Sequence, residues 1–309
     1  MSSNLVLHKD AVPVPLTVPT SMREAFINNY LKATCNTGRL LLFAGDQKVE
    51  HLNKDFFGPD ISPESANPTH LFDIASKSRI GAFATNLGLV ARYASDYKNV
   101  RYVIKLNGKT NLVPTQQADP NSCMWTPVQQ VVEFKKQTGL DIVGIGMTVY
   151  LGSEHESAML AQAAQAIYQA HQNGLMTTVW MYPRGKAVQN ERSADIIAGV
   201  AGIAVCLGAD FVKVNAPEAA DSFESAQLLR QATMAAGNTR VICAGGQSKS
   251  EKEFLQALYH QIHGGGAMGA AVGRNIHQKS TQEAIKFCNA LAAIIIDDAD
   301  VATAEQCLK

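Results

Sequence analysis

The sequence predicts a single (β/α)8 barrel of the TIM type, with an N-terminal extension over residues 1–38 and the barrel over residues 39–309. Three observations predict it. Eight short apolar, β-branched runs follow one another along the chain, and helical patterns fill most of the intervals, as parallel βαβ units require. The interval they occupy, about 270 residues, suits the size of this barrel. The competing open doubly wound sheet would place a GxGxxG turn after its first strand. The chain reads Ala44-Gly45-Asp46-Gln47 there.

In chain order, Pro13, Pro15 and Pro19 keep the start extended, and Ser21–Thr37 reads as a helix that packs on the barrel. Strands are expected near Leu40–Gly45, Gly81–Thr85, Val100–Leu106, Ile142–Thr148, Thr177–Tyr182, Phe211–Val214, Val241–Ala244 and Ala267–Val272. Ser62–Pro68 reads as a long loop after the first strand, on the C-terminal face where barrels bind substrate. The clearest helix is Ser157–Asn173, rich in Ala and Gln, with Gly174 closing it. Ser250 and Glu253 have capping-box spacing before another. Gly264-Gly265-Gly266 precedes the last strand on the opposite face and reads as a plain turn.

Composition narrows the function classes. The 309 residues carry 27 Lys+Arg against 27 Asp+Glu, which argues against a nucleic-acid binder driven by bulk charge. A hydrophobic content of 46% with 17% charged residues argues for a well-packed core. The cysteines at 35, 123, 206, 243, 288 and 307 form no CxxC pair, and reduced thiols are expected. MSSNLVLHKD lacks the pattern of a signal peptide, and the charge-free stretch Ile196–Ala209 is too short to span a bilayer. A cytoplasmic protein without membrane or nucleic-acid partners is expected.

In such a barrel, reactive side chains belong at the C-terminal ends of strands. Asp46 follows strand one; Lys105 and Asn107 end strand three; Trp180 and Tyr182 end strand five; Lys213 and Asn215 end strand six. Lys213 is the most informative. It interrupts an apolar run, where desolvation and nearby positive charge would lower its pKa and make it a nucleophile toward a carbonyl. The alternative is a snorkelling or salt-bridged lysine. Tyr182 shares a face with Trp180 and could move protons, or could be a core aromatic. Trp180 reads as a wall of the site. Asp46 could accept a proton or cap a helix. Lys105 could raise the positive potential around Lys213. Gly245 and Gly246 after strand seven, and Gly273 with Arg274 after strand eight, form turns suited to a phosphate. The eight histidines are scattered without metal-site spacing, so neither metal nor cofactor is expected.

The string Trp180-Met181-Tyr182-Pro183-Arg184-Gly185, followed by Lys213 in FVKVNAP, resembles the archaeal-type class I fructose-bisphosphate aldolases, which also occur in bacteria. FAGDQKVEH (43–51), KLNGKT (105–110), VYLGSEHE (149–156), ICAGGQSKS (242–250) and AVGRNIHQ (271–278) extend the resemblance. It implies a Schiff-base mechanism on a phosphorylated keto sugar. Lys213 would form the imine, Tyr182 would transfer protons, and Asp46 would be the acid after strand one. Lys105, Trp180 and Arg184 would meet the substrate, and Gly245, Gly246, Gly273 and Arg274 would hold its phosphate. It also implies a homo-oligomer, in some relatives a decamer. Gln47-Lys48 stand where many relatives have His-Gly, and Asn215 where many have a second lysine. Another phosphorylated ketose, a transaldolase-like or thiolase-like reaction, and a non-catalytic sugar-phosphate-binding barrel are the alternatives.

Overall fold

The computed structural model describes residues 5–51, 53–112, 119–246 and 250–309. Its strands are β1 (Leu40–Ala44), β2 (Ala82–Asn86), β3 (Tyr102–Lys105), β4 (Ile142–Leu151), β5 (Met176–Pro183), β6 (Phe211–Val214), β7 (Arg240–Ala244) and β8 (Gly269–Val272). They pair in parallel in sequence order, and β8 closes on β1, which is the expected barrel. The helices are α1 (Arg23–Ala33), α2 (Gln47–Glu50), α3 (Thr69–Lys77), α4 (Leu87–Tyr93), α5 (Val128–Thr138), α6 (Glu156–Gln172), α7 (Ala194–Leu207), α8 (Ser222–Ala235), α9 (Glu251–His263), α10 (Arg274–His277), α11 (Thr281–Ile295) and α12 (Val301–Gln306).

Strand alternation divides the core in two. Leu41, Phe43, Phe83, Ile104, Val212 and Val214 pack outward with the helices. Leu40, Leu42, Ala82, Val103, Met176, Trp180, Phe211 and Ile242 fill the interior. The interior cluster continues into Phe26, Tyr30 and Ala33 of α1. Tyr30 stacks on Phe211 at 5.4 Å, and Phe26 meets His171 edge-on at 5.7 Å. The N-terminal segment therefore stoppers the end of the barrel at which the strands begin. Higher up, Trp180 crosses the interior beside Gly146, where an added Cβ would lie 2.2 Å from the indole.

Local signals set several boundaries. Gly174, at φ +65°, ends α6, with Leu175 N–H donating to Ala170 and Gly174 N–H to His171, a Schellman closure. Ser250 and Glu253 form the capping box of α9. The first helix is shorter than Ser21–Thr37: Thr20–Met22 is a 3-10 turn, and Cys35 and Asn36 take positive φ. β4 runs beyond Thr148 because its pairing with β5 continues through Tyr150 opposite Tyr182. Within Ser62–Pro68, Pro63–Ala66 forms a 3-10 turn.

Phe26 is fully buried. Phe26→Ala should therefore lower unfolding stability by about 3–5 kcal/mol, measured by urea titration. A loss under about 1 kcal/mol would show α1 to be separate from the cooperative core.

Candidate active site

Lys213 enters the interior because β6 alternates: Val212 and Val214 face the helices, so Phe211 and Lys213 face the barrel axis. Its register partner on β5 is Trp180, whose ring centroid lies 5.7 Å from Nζ. Only 6% of Lys213 is exposed, and among the described residues its amine has no hydrogen bond or ion pair. Burial disfavours the ammonium. Asp46 and Glu50 oppose that effect, Lys105 and Arg274 reinforce it, and the pKa falls to about 8.

The charge beneath this amine comes from a buried triad. Lys105 Nζ donates to Asp46 Oδ2 at 2.7 Å and to Glu50 Oε1 at 2.9 Å, and lies 4.8 Å from the Trp180 ring. Burial alone would discharge Lys105, but the two carboxylates outweigh it and hold its pKa above the usual range. Burial would likewise raise Asp46; Lys105 and then Lys213 overcome this and hold its carboxyl below the ordinary value. Thr148 adds a hydroxyl bond to Glu50 Oε1 at 3.3 Å. Lys105 is thus fully enclosed and committed to carboxylates. It does not line the cavity, contrary to the expected contact with substrate, but its charge does depress Lys213. Asn107 is structural. Its amide bonds to the Thr148 backbone at both N–H and C=O and holds β3 to β4.

Above the triad is a cavity of about 190 Å³ at the C-terminal mouth. Asp46, Trp180, Tyr182, Arg184, Lys213, Gly245, Gly246, Gly273 and Arg274 all line it. Burial, then the charges of Glu50 and Asp46, push the Tyr182 phenol well above its usual pKa, so it is protonated at neutral pH. Arg274 donates to Gly246 O at 3.2 Å and ties the β8 turn to the β7 turn. Gln247, the next residue of that expected turn, lies outside the described residues.

Gln47, Glu50, His51, Asn111, Tyr150 and Asn215 also line the cavity, and of these Glu50, Asn111 and Tyr150 were not singled out by the sequence. Two had a signal. Glu50 follows Asp46 by four residues, one turn of helix. Tyr150 is two residues past Thr148 on an inward-facing strand position. The Gln47-Lys48 pair is used in packing. Gln47 lies so close to Gly273 that an added Cβ there would fall 1.8 Å from its Nε2. Lys48 bonds to the carbonyls of Ser65 and Ala66 and sits 4.1 Å over the Phe56 ring, pinning the segment after β1.

Residues 40–279 match a protein-family model described as DeoC/LacD family aldolase. A Methanocaldococcus jannaschii protein named fructose-bisphosphate aldolase/6-deoxy-5-ketofructose 1-phosphate synthase is 51% identical over 94% of this chain and 92% of its own. A solved fructose-bisphosphate aldolase from Slackia heliotrinireducens superposes with a TM-score of 0.95 at 50% identity, covering 98% of this chain and 95% of that one. An archaeal fructose-1,6-bisphosphate aldolase solved with its catalytic lysine bound to the carbinolamine intermediate superposes with a TM-score of 0.73 at 30% identity, covering 89% and 99%.

Because the neutral amine is the reactive form, trace acetylation of Lys213 should rise with pH and reach half its maximum near pH 8. Competitive labelling against a free amino acid, read by mass spectrometry, measures this. A midpoint near the ordinary value of 10.5 would show that burial does not depress it.

Proposed function

The chain belongs to the DeoC/LacD aldolase family, and from that premise we propose that it is a class I aldolase that reversibly cleaves fructose 1,6-bisphosphate to dihydroxyacetone phosphate and glyceraldehyde 3-phosphate. The observation that carries this reading is an unpartnered buried amine of lowered pKa that lines one cavity with Asp46 and the protonated phenol of Tyr182.

In the proposed sequence, neutral Lys213 attacks the C2 carbonyl, and the resulting carbinolamine loses water. Tyr182 is protonated at neutral pH and supplies the proton that lets hydroxide leave as water. The protonated imine is a cation in a buried site. It sits over a triad whose formal charge, one ammonium against two carboxylates, is negative, so Asp46 stabilises it. The iminium then draws the electrons of the C3–C4 bond into an enamine. Tyr182, its proton regained from water at the mouth, protonates C3, and water hydrolyses the new iminium, which releases the second product and a proton and restores the neutral amine. Gly245, Gly246, Gly273 and Arg274 would hold the C1 phosphate, and Arg184, which lines the same cavity, would meet the substrate beside them. Remote binding of this kind positions the reacting carbons.

The reading extends to a cytoplasmic homo-oligomer of the ring or decamer type that the resemblance implies, built from barrels over 39–309 that each carry residues 1–38 as a packed extension. Among the described residues no helix is long and apolar enough to cross a membrane.

Borohydride added with dihydroxyacetone phosphate should inactivate the protein and leave one reduced adduct, on Lys213, and Lys213→Ala should form none. An adduct on Lys105 would overturn the assignment of Lys213, and none on the wild type would favour a binding-only barrel. Tyr182→Phe should slow single-turnover cleavage by about 10²–10⁴-fold while adducts on Lys213 still form. Near-normal cleavage with stability reduced by about 1 kcal/mol would make Tyr182 a structural aromatic.

A further inference from the structure

We propose that Glu50 is a further catalytic residue of this site: the base that takes the C4 hydroxyl proton as the C3–C4 bond of the Lys213-bound sugar breaks. The inference rests on the aldolase reading above. Retro-aldol cleavage needs two events at once. The electron pair of C3–C4 moves into the iminium, and the C4 oxygen loses its proton and becomes the aldehyde carbonyl. Lys213 provides for the first. The second needs an acceptor on the cavity wall, at the far side of C2 from the C1 phosphate.

The topology places that far side. The phosphate turns follow β7 and β8, and in a closed ring of eight strands β3 and β4 stand opposite them. A substrate anchored by phosphate at β7–β8 and joined to Lys213 through C2 must run its remaining carbons toward the β3–β4 wall. Glu50 is fixed to that wall. Its Oε1 accepts from Lys105 on β3 and from Thr148 on β4. Its Oε2 has no hydrogen bond among the described residues, and Glu50 lines the cavity with 14% of its side chain exposed. One oxygen is therefore anchored and the other is open to the substrate.

Asp46 is placed to act elsewhere. Its side chain is 3% exposed, and Lys105 and Lys213 are the opposite charges that act on it, so it faces the nitrogen end of the reaction. The balance closes without another reactant. The proton leaves the C4 oxygen for Glu50 Oε2, the C4=O bond forms, C3–C4 breaks, and the enamine nitrogen becomes neutral. Glu50 then releases its proton to water through the mouth once the aldehyde has left.

The test separates the two halves of the reaction in Glu50→Gln, whose amide oxygen can keep the bonds from Lys105 and Thr148. Exchange of the hydroxymethyl proton of dihydroxyacetone phosphate in D2O requires Lys213 and the enamine proton donor but no C4 hydroxyl. Losing the Glu50 charge also alters the electrostatics of Lys213 and Tyr182, so exchange should fall too, but the loss should be smaller than that of cleavage by about tenfold or more. Single-turnover cleavage of fructose 1,6-bisphosphate should fall by about 10²–10⁴-fold. Glu50→Asp, which keeps a carboxylate, should recover part of that loss. Cleavage near wild type in Glu50→Gln would overturn the inference, as would an equal loss of exchange and cleavage, which would mean that Glu50 only supports the triad. If wild-type protein shows neither exchange nor adduct, the aldolase reading itself fails.

Discussion

The ion triad of Lys105, Asp46 and Glu50 is the constraint around which the rest of the site is arranged. Three charged groups have been taken out of water into the middle of a barrel, which is costly unless each finds its partners. Here each does: a single ammonium spans both carboxylates at hydrogen-bond distance, with an indole above it. The triad draws the short turn after β1 across the mouth onto β3 and β4, so Asp46 and Glu50 become part of the cavity wall. It also leaves Lys213 as the one lysine at that level without a partner among the described residues. Two buried lysines, one held by carboxylates and one without a partner among the described residues, thus lie against the same tryptophan.

Low polarity below the triad matters as much. Trp180 crosses the interior, and beneath it the core passes without a break into Phe26 and Tyr30 of α1. Among the described residues the side chains beneath Trp180 are largely apolar, which helps keep the charge of the amine disfavoured. The N-terminal helix lies at the opposite end of the barrel from the chemistry, yet its packing supports the electrostatics there.

Most of the barrel was legible from the chain because the signals are local. Each strand is a short apolar run, Gly174 marks a helix end, and the alternation on β6 sends Lys213 inward. Tyr182 was found through its spacing from Trp180. What was illegible depends on contacts distant in sequence. Lys105 looked like a ligand for substrate because its partner Glu50 stands 55 positions away on a different element. The extra length of β4 depends on how far β5 follows it. The early end of α1 depends on two non-glycine residues with positive φ, which no composition rule marks. Gln47-Lys48 was legible only as a departure from the family pattern. Both residues also serve packing, Gln47 against Gly273 and Lys48 against the segment after β1.

The surroundings of Gly273 limit how this sequence can diverge. A Cβ at 273 would meet the Gln47 amide, whose flexible end can swing aside, and also the Ala44 carbonyl oxygen at 2.9 Å, which belongs to β1 and cannot. Position 273 is therefore held to glycine by the barrel backbone itself, whatever ligand the turn serves and whatever residue stands at 47. Shortening residue 47 alone does not free it. Libraries that reshape this mouth should vary position 47 and keep glycine at 273.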